Sequence, residues 1–312
     1  MEKILVTGAN GFVGTALCRV LRARGITFVP AVRKAESAGQ IGVGDIDAQT
    51  PWKEALSGCN AVIHLAARVH VMKDEATDPL AAYRLVNRDA ALNLARQAAE
   101  SGIRRFVFVS SIKVNGERTT GRPFTAADVP MPLDPYGQSK LEAENALREL
   151  SQQTGLEVVI VRPPLVYGPG VGANFLSLMR LVRTGLPLPL GAVDNRRSMA
   201  AAENLADLLI CCVRHPSAAG HTFLVSDDHD ISTAELVRKL AASMGKSARL
   251  LPVPGKLLMA GAALLGKSAA AERLLGSLQV DIAHTKSVLG WHPAIGMDDA
   301  IDTTVQHFLS RL

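Results

Sequence analysis

Cysteine is scarce in this chain, long runs of one charge sign are missing, and no apolar stretch reaches the length of a membrane crossing. The four cysteines, Cys18, Cys59, Cys211 and Cys212, form no C-x-x-C and no metal-ligand spacing. A disulfide framework is therefore excluded, and reduced thiols in a cytoplasmic protein are expected. Lys and Arg exceed Asp and Glu for a net charge of +5, but the cations come in pairs such as Arg104-Arg105 and Arg196-Arg197. That pattern argues against nucleic acid as a partner and leaves a modest attraction for small anions. The N-terminus runs directly into a strand pattern, without a charged leader, apolar segment and cleavage site, so export is not expected. LLMAGAALLG, residues 257–266, is about half the length that spans a bilayer. Interior packing is expected of it, with no stable membrane insertion. The eight histidines are spread out, without H-E-x-x-H or a Cys/His cluster, and no metal is assigned.

What is present is a long chain, 312 residues and 48% hydrophobic, enough for one large or two unequal domains. Apolar runs of strand length recur at KILVTG, ITFVPAV, AVIHLA, RFVFVSS and EVVIVRP, with helical stretches between them. Continuous apolar strands alternating with helices predict α/β architecture, a doubly wound parallel sheet covered on both faces. After about residue 166 the rhythm gives way to Gly- and Pro-rich segments and then to helices, apart from a strand at HTFLVS. A smaller, mainly helical second lobe is predicted there.

The first strand ends in VTGANGFVGTAL. Gly8 permits a tight turn, Gly11 lets the backbone approach a pyrophosphate, and Gly14 lets helix and strand pack closely, with a helix N-terminus aimed at the anion. The whole turn, Gly8, Asn10, Gly11, Phe12, Val13 and Gly14, is the candidate dinucleotide cradle. At the end of the second strand stand Arg33 and Lys34, where a carboxylate would accept the 2′-hydroxyl of NAD; cations there favour NADP(H) over NAD(H). Asp45, followed by Ile46, is the candidate partner of the adenine amino group. The small side chains of HLAA, with Leu65, Ala66 and Ala67, end the fourth strand against the cofactor.

The fifth strand ends in Ser110 and Ser111, and open α/β sheets place ligands at the carboxyl ends of their strands. Tyr136 follows, with Lys140 one helical turn on. A lysine charge there, backed by the positive nicotinamide in an oxidised complex, favours phenolate over phenol, making Tyr136 a usable acid or base near neutral pH. Ser111 is placed to hydrogen-bond a carbonyl oxygen or the alkoxide formed from it.

TGxxGxxG, Asp45, HLAA, the serine pair, YGQSK and RPPLVYGPG together resemble the extended short-chain dehydrogenase/reductase superfamily, in its NAD-dependent epimerase/dehydratase group. The resemblance implies a Rossmann-like domain over 1–168 with returning segments near 196–226, and a nucleotide-sugar lobe over 169–195 and 227–312. It implies that Ser111, Tyr136 and Lys140 form the catalytic trio, that Asn87 supports the cofactor side, and that Pro163 to Val166 line the nicotinamide. SSIKVNGE and NFLSLMRLV are similar to bacterial UDP-4-keto-6-deoxy-N-acetylhexosamine 4-reductases of O-antigen synthesis, which places Asn174 and Arg197 at the substrate. Reduction of the C4 ketone of such a UDP-sugar is therefore the expected reaction. Arg33 and Leu165, where epimerases carry an acid and an Asn, argue for it. A nucleotide-sugar 4-epimerase is the alternative, and a non-catalytic dinucleotide sensor a remote third. Lys113 and Asn115 stand where dehydratases keep acidic residues, which disfavours dehydration. A homodimer is expected, and sugar specificity is expected from loops near 68–90 and 170–200.

Overall fold

The computed structural model describes residues 2–69, 78–264, 266 and 268–312, so residues 70–77 of the expected specificity loop lie outside it. The strands are β1 (Lys3–Thr7), β2 (Thr27–Val32), β3 (Ile41–Gly42), β4 (Ala61–His64), β5 (Arg105–Val109), β6 (Glu157–Arg162), β7 (Leu165–Tyr167), β8 (Arg197–Ala201), β9 (Thr222–Leu224) and β10 (Asp230–Ile231). The helices are α1 (Phe12–Ala23), α2 (Lys53–Leu56), α3 (Pro79–Arg84), α4 (Ala90–Glu100), α5 (Pro135–Thr154), α6 (Ala173–Arg183), α7 (Ala202–Arg214), α8 (Thr233–Ser243), α9 (Gly255–Leu264), α10 (Ser268–Leu275), α11 (Ala283–Leu289) and α12 (Met297–Leu309).

Seven strands form a parallel sheet in the order β3-β2-β1-β4-β5-β6-β9. The order reverses between β1 and β4, which opens a crevice at their carboxyl ends. Pro30, which cannot donate to a ladder, sits in β2 opposite Val6; β3 pairs only Ala31 and Val32, so Pro30 borders an unpaired stretch of the sheet edge. Both faces are buried, as the continuous apolar strands require. Leu17 and Leu21 of α1 and Leu205, Leu208 and Leu209 of α7 cover one face, while Leu94 and Ala98 of α4 and Ala143 and Leu147 of α5 cover the other. Truncating one of these leucines to Ala would cost about 2–5 kcal/mol.

Beyond β6 the chain builds a small sheet, β10-β8-β7, and a separate core from Tyr167, Phe175, Met179, Leu240, Ile301 and Val305. Between these elements α7 packs on the α1 face and β9 joins the large sheet beside β6. One expectation is corrected. The described part of 257–266 lies in α9, which has no buried residue; Leu257 is 63% and Leu264 89% exposed. The helix contacts α10, yet none of its residues is buried. Among the described residues no helix is long and apolar enough to cross a membrane.

Candidate active site

The β1-to-α1 turn is built as the glycine spacing requires. Gly8 has φ +65, and a Cβ there would lie 2.9 Å from Ala66 N; a Cβ on Gly14 would lie 2.1 Å from Gly8 O. Gly11 is the N-cap of α1 and offers no side chain, so the first N–H groups of the helix are left for an anion. Thr7 Oγ1 accepts from Leu65 N and Ala66 N, both at 3.2 Å, and thereby fixes the end of β4 beside this cradle. Arg33, Asp45, Ile46, Ala67, Leu85 and Val86 line one cleft farther out. Within it Arg33 Nε lies 2.7 Å from Asp45 Oδ1, so the expected phosphate ligand and the expected adenine partner are paired with each other. Lys34 is exposed on the same rim.

The floor of the site lies at the end of β5. Ser111 caps a short 3-10 turn, and its Oγ accepts from Lys113 N at 3.3 Å. Helix α5 begins at Asp134, whose carboxylate accepts from Gly137 N at 2.7 Å, with Pro135 pre-set for the first turn. This start places the Tyr136 phenol beside the Ser111 hydroxyl, whose polar interaction favours the phenolate. One turn on, Lys140 is 1% exposed; its Nζ donates to Val109 O at 2.9 Å and stands 4.5 Å from the centroid of Phe108. That single acceptor leaves two of its three donor positions for another oxygen.

In the protein alone, burial sets the electrostatics of the phenol and the amine. Tyr136 is pushed up to about 12, by burial first, with Asp134 and Tyr83 adding to the rise and the Ser111 hydrogen bond opposing it. Lys140 is pushed down to about 7 by burial, opposed by the Glu144 carboxylate. The physical reason is that the ammonium is directed to Val109 O and the Phe108 face, while dense packing disfavours ionisation of both groups.

The supporting residues are as follows. Asn87 is buried in a π-helical turn, Leu85–Asp89; its amide bridges the backbone of Arg68 (N at 2.9 Å, O at 3.1 Å) and donates to Ser139 Oγ at 3.0 Å. Ser110, expected at the cofactor, instead turns its hydroxyl inward and donates to Glu144 Oε1 at 2.6 Å. Pro163 O accepts from Ile112 N at 2.9 Å, tying the strand that leads to Val166 to the Ser111 turn. Asn174 is exposed in the first turn of α6, and Arg197 opens β8, with one guanidinium nitrogen donating to Gly276 O at 3.1 Å. Asn174 thus lies on α6 and Arg197 on β8 of the small sheet, elements separate from those that carry the trio.

Sequence reasoning missed the buried pair of Glu144 and Arg162 and the buried His64. Glu144 was findable, since Tyr136, Lys140 and Glu144 are spaced four apart on one helix face. Among the described residues no group of His, Cys, Asp or Glu converges as a metal site, and the four cysteines are free thiols. The open helix start, the backbone contact at Gly8 and the unused donor positions of Lys140 fit a dinucleotide diphosphate and ribose.

The description NAD dependent epimerase/dehydratase family belongs to a family model that matches residues 4–226. A protein of Vibrio cholerae named UDP-glucose 4-epimerase is 49% identical over 99% of this chain and 96% of its own length. An Escherichia coli O157:H7 protein named N-acetyl-alpha-D-glucosaminyl-diphospho-ditrans,octacis-undecaprenol 4-epimerase is 27% identical, over 83% of this chain and 78% of its own. Among solved structures, UDP-glucuronic acid 4-epimerase from Bacillus cereus in complex with NAD has the same fold, with a TM-score of 0.80, 19% identity and 99% of both chains covered. The glycine turn, the strand order and these likenesses agree: the chain belongs to the NAD-dependent epimerase/dehydratase family.

Proposed function

We propose that this protein is an NAD-dependent 4-epimerase of a UDP-linked hexose of the glucose type. The observation that carries this reading is the 49% identity, along almost the whole chain, to a protein named UDP-glucose 4-epimerase. The ketone reduction expected from the sequence is less well supported than epimerisation by the relative with 49% identity, and its cofactor argument weakens because Arg33 is already paired with Asp45. NAD is therefore the proposed cofactor. In this reading residues 1–168 and 196–226 carry the dinucleotide and 169–195 and 227–312 form the nucleotide-sugar lobe; Asn174 of that lobe and Arg197 of the returning segment contact the UDP, and the active unit is a cytosolic homodimer.

The chemistry that the dinucleotide supplies when bound is reversible acceptance of a hydride. Tyr136 Oη takes the proton of the sugar 4-hydroxyl and later returns it. Ser111 donates a hydrogen bond to the same oxygen as it gains carbonyl character and as it reverts. Lys140 offers its free donor positions to ribose hydroxyls and, when protonated, favours the phenolate. The packed floor of Val109, Phe108 and His64 keeps bulk water from the amine.

The test is to purify the protein, assay release of NAD on denaturation, and follow UDP-glucose to UDP-galactose by NMR without added coenzyme. Interconversion with co-purified NAD is expected, and Tyr136→Phe is expected to lower the rate by about 10²–10⁴-fold while keeping the NAD content. Absence of interconversion of UDP-glucose and of UDP-N-acetylglucosamine, together with oxidation of added NADPH by a UDP-4-keto sugar, would overturn the assignment in favour of a reductase.

A further inference from the structure

The proposed reaction leaves unexplained a cation two positions after Ser111. Lys113 Nζ lies 2.5 Å from Asp134 Oδ2 and 2.9 Å from Glu117 Oε1. Burial alone would lower its pKa, but the hydrogen bonds to the two carboxylates outweigh that and hold it above the ordinary lysine value. The other oxygen of Asp134 caps α5 at Gly137 N, 2.7 Å away. A single carboxylate therefore joins the turn that carries Ser111 to the helix that carries Tyr136. The two segments also meet backbone to backbone: Met131 N donates to Val114 O at 2.9 Å, and a Cβ on Gly137 would come within 2.9 Å of Lys113 O.

This arrangement contains a conflict. An ionised carboxylate at a helix start is favourable for the helix, as a cap and through the helix dipole. The same charge two residues before Tyr136 opposes a phenolate. Of the other groups facing the phenol, Ser111 opposes the rise through its hydrogen bond, while none brings a positive charge to bear on it. Tyr83 lies edge-on with ring centroids 6.0 Å apart and carries Arg68 over its own ring at 5.5 Å; Ser111 is a neutral hydrogen-bond partner; Lys140 directs its ammonium to Val109 O.

We propose that Lys113 is a positioning residue for Tyr136: its ammonium neutralises the Asp134 cap and clamps the Ser111 turn against the start of α5. The proposal rests on the reading that Tyr136 is the proton-carrying group. Glu117 is the second carboxylate of the clamp and holds Lys113 in place when Asp134 is altered.

The experiment titrates the phenol of Tyr136 directly. The chain has three tyrosines, Tyr83, Tyr136 and Tyr167, so incorporation of a fluorinated tyrosine brings the ionisations into an accessible pH range and Tyr136→Phe identifies the resonance in 19F NMR spectra. Lys113→Met is expected to move the Tyr136 titration upward by about half to one pH unit, the scale of a nearby charge partly screened by solvent. Lys113→Arg is expected to restore it. Asp134→Asn, which keeps the cap without its charge, moves it downward, and the double variant K113M/D134N returns it near the wild-type value. The pH profile of kcat for sugar interconversion shifts in the same directions. If K113M does not fold, the comparison of D134N with wild type carries the test. A titration unmoved in D134N, or a K113M variant that loses kcat equally at every pH with its phenol unshifted, overturns the proposal. Wild-type protein that fails to act on UDP-hexoses would overturn the assigned reaction instead, and the phenol titration still decides the role of Lys113.

Discussion

Two buried polar clusters lie one helical turn apart on α5 and are built on opposite principles. Around Glu144 everything is closed. Arg162 donates to both carboxylate oxygens at 2.8 and 2.6 Å and to Asn115 Oδ1 at 2.9 Å, while Ser110 and Arg148 complete the carboxylate. Around Lys140 the cluster is open. The amine has one backbone acceptor, and the Nε2 of fully buried His64 has no partner among the described residues. A satisfied network fixes geometry, whereas unsatisfied donors in a low-dielectric floor are a cost that a ligand can relieve. The closed cluster thus aligns the ends of β5, β6 and α5, and the open one keeps donor positions that a ligand can take.

The comparison breaks most visibly at the closed cluster. Glu144→Gln leaves the Arg162 charge buried without its counter-ion, and a loss of about 3–5 kcal/mol is expected in urea or thermal unfolding. Replacing both partners by Met is expected to recover most of that loss, because no buried charge remains. A small effect of Glu144→Gln would mean that the pair is not the structural anchor described.

The open cluster responds to pH. Thr7 Oγ1 already accepts two backbone N–H groups, so its own proton goes to His64 Nδ1, 2.8 Å away, and the imidazole is held neutral with its proton on Nε2. Burial, with Lys140 nearby, pushes its pKa to about 3 from 6.5. Between those values the unfolded chain binds a proton that the folded chain refuses. Stability therefore falls as pH drops through this window, by about 1.4 kcal/mol per pH unit, and is unaffected by His64 above it. His64→Gln is expected to flatten that slope in urea titrations at several pH values. Lys140, at about 7 against 10.5, adds a second window between those two values in which stability also rises with pH.

What could be read from the sequence was local. Gly8, Gly11 and Gly14 declare a turn because their constraint is steric and lies within a few residues. Tyr136 and Lys140 share a face because helical spacing dictates it, and the continuous apolar strands required a sheet covered on both sides. What could not be read depends on partners far along the chain. Residue spacing alone does not say that Lys140 faces a carbonyl of β5, that Ser110 turns inward to Glu144, or that desolvation raises the Tyr136 phenol. The helix at 255–264 was misjudged for the same reason: apolar composition predicts burial, but only the surrounding lobe decides whether anything covers it.

The smallest expected effect concerns the coenzyme rim, where pairing replaced the predicted phosphate site. Arg33 and Asp45 are 79% and 84% exposed, so breaking their ion pair should leave the unfolding midpoint essentially unchanged. Binding should respond instead. The 2′-phosphate of NADP has to compete with the Asp45 carboxylate for the same guanidinium, so wild-type protein is expected to prefer NAD. Asp45→Asn frees Arg33 and is expected to strengthen NADP binding relative to NAD by about fivefold or less, the scale of an exposed ion pair. Arg33→Ala in the same background should remove the gain. Calorimetric titration with both coenzymes measures the ratio, and a ratio unmoved by Asp45→Asn would show that Asp45 does not mask Arg33, returning the choice of coenzyme to the surrounding backbone.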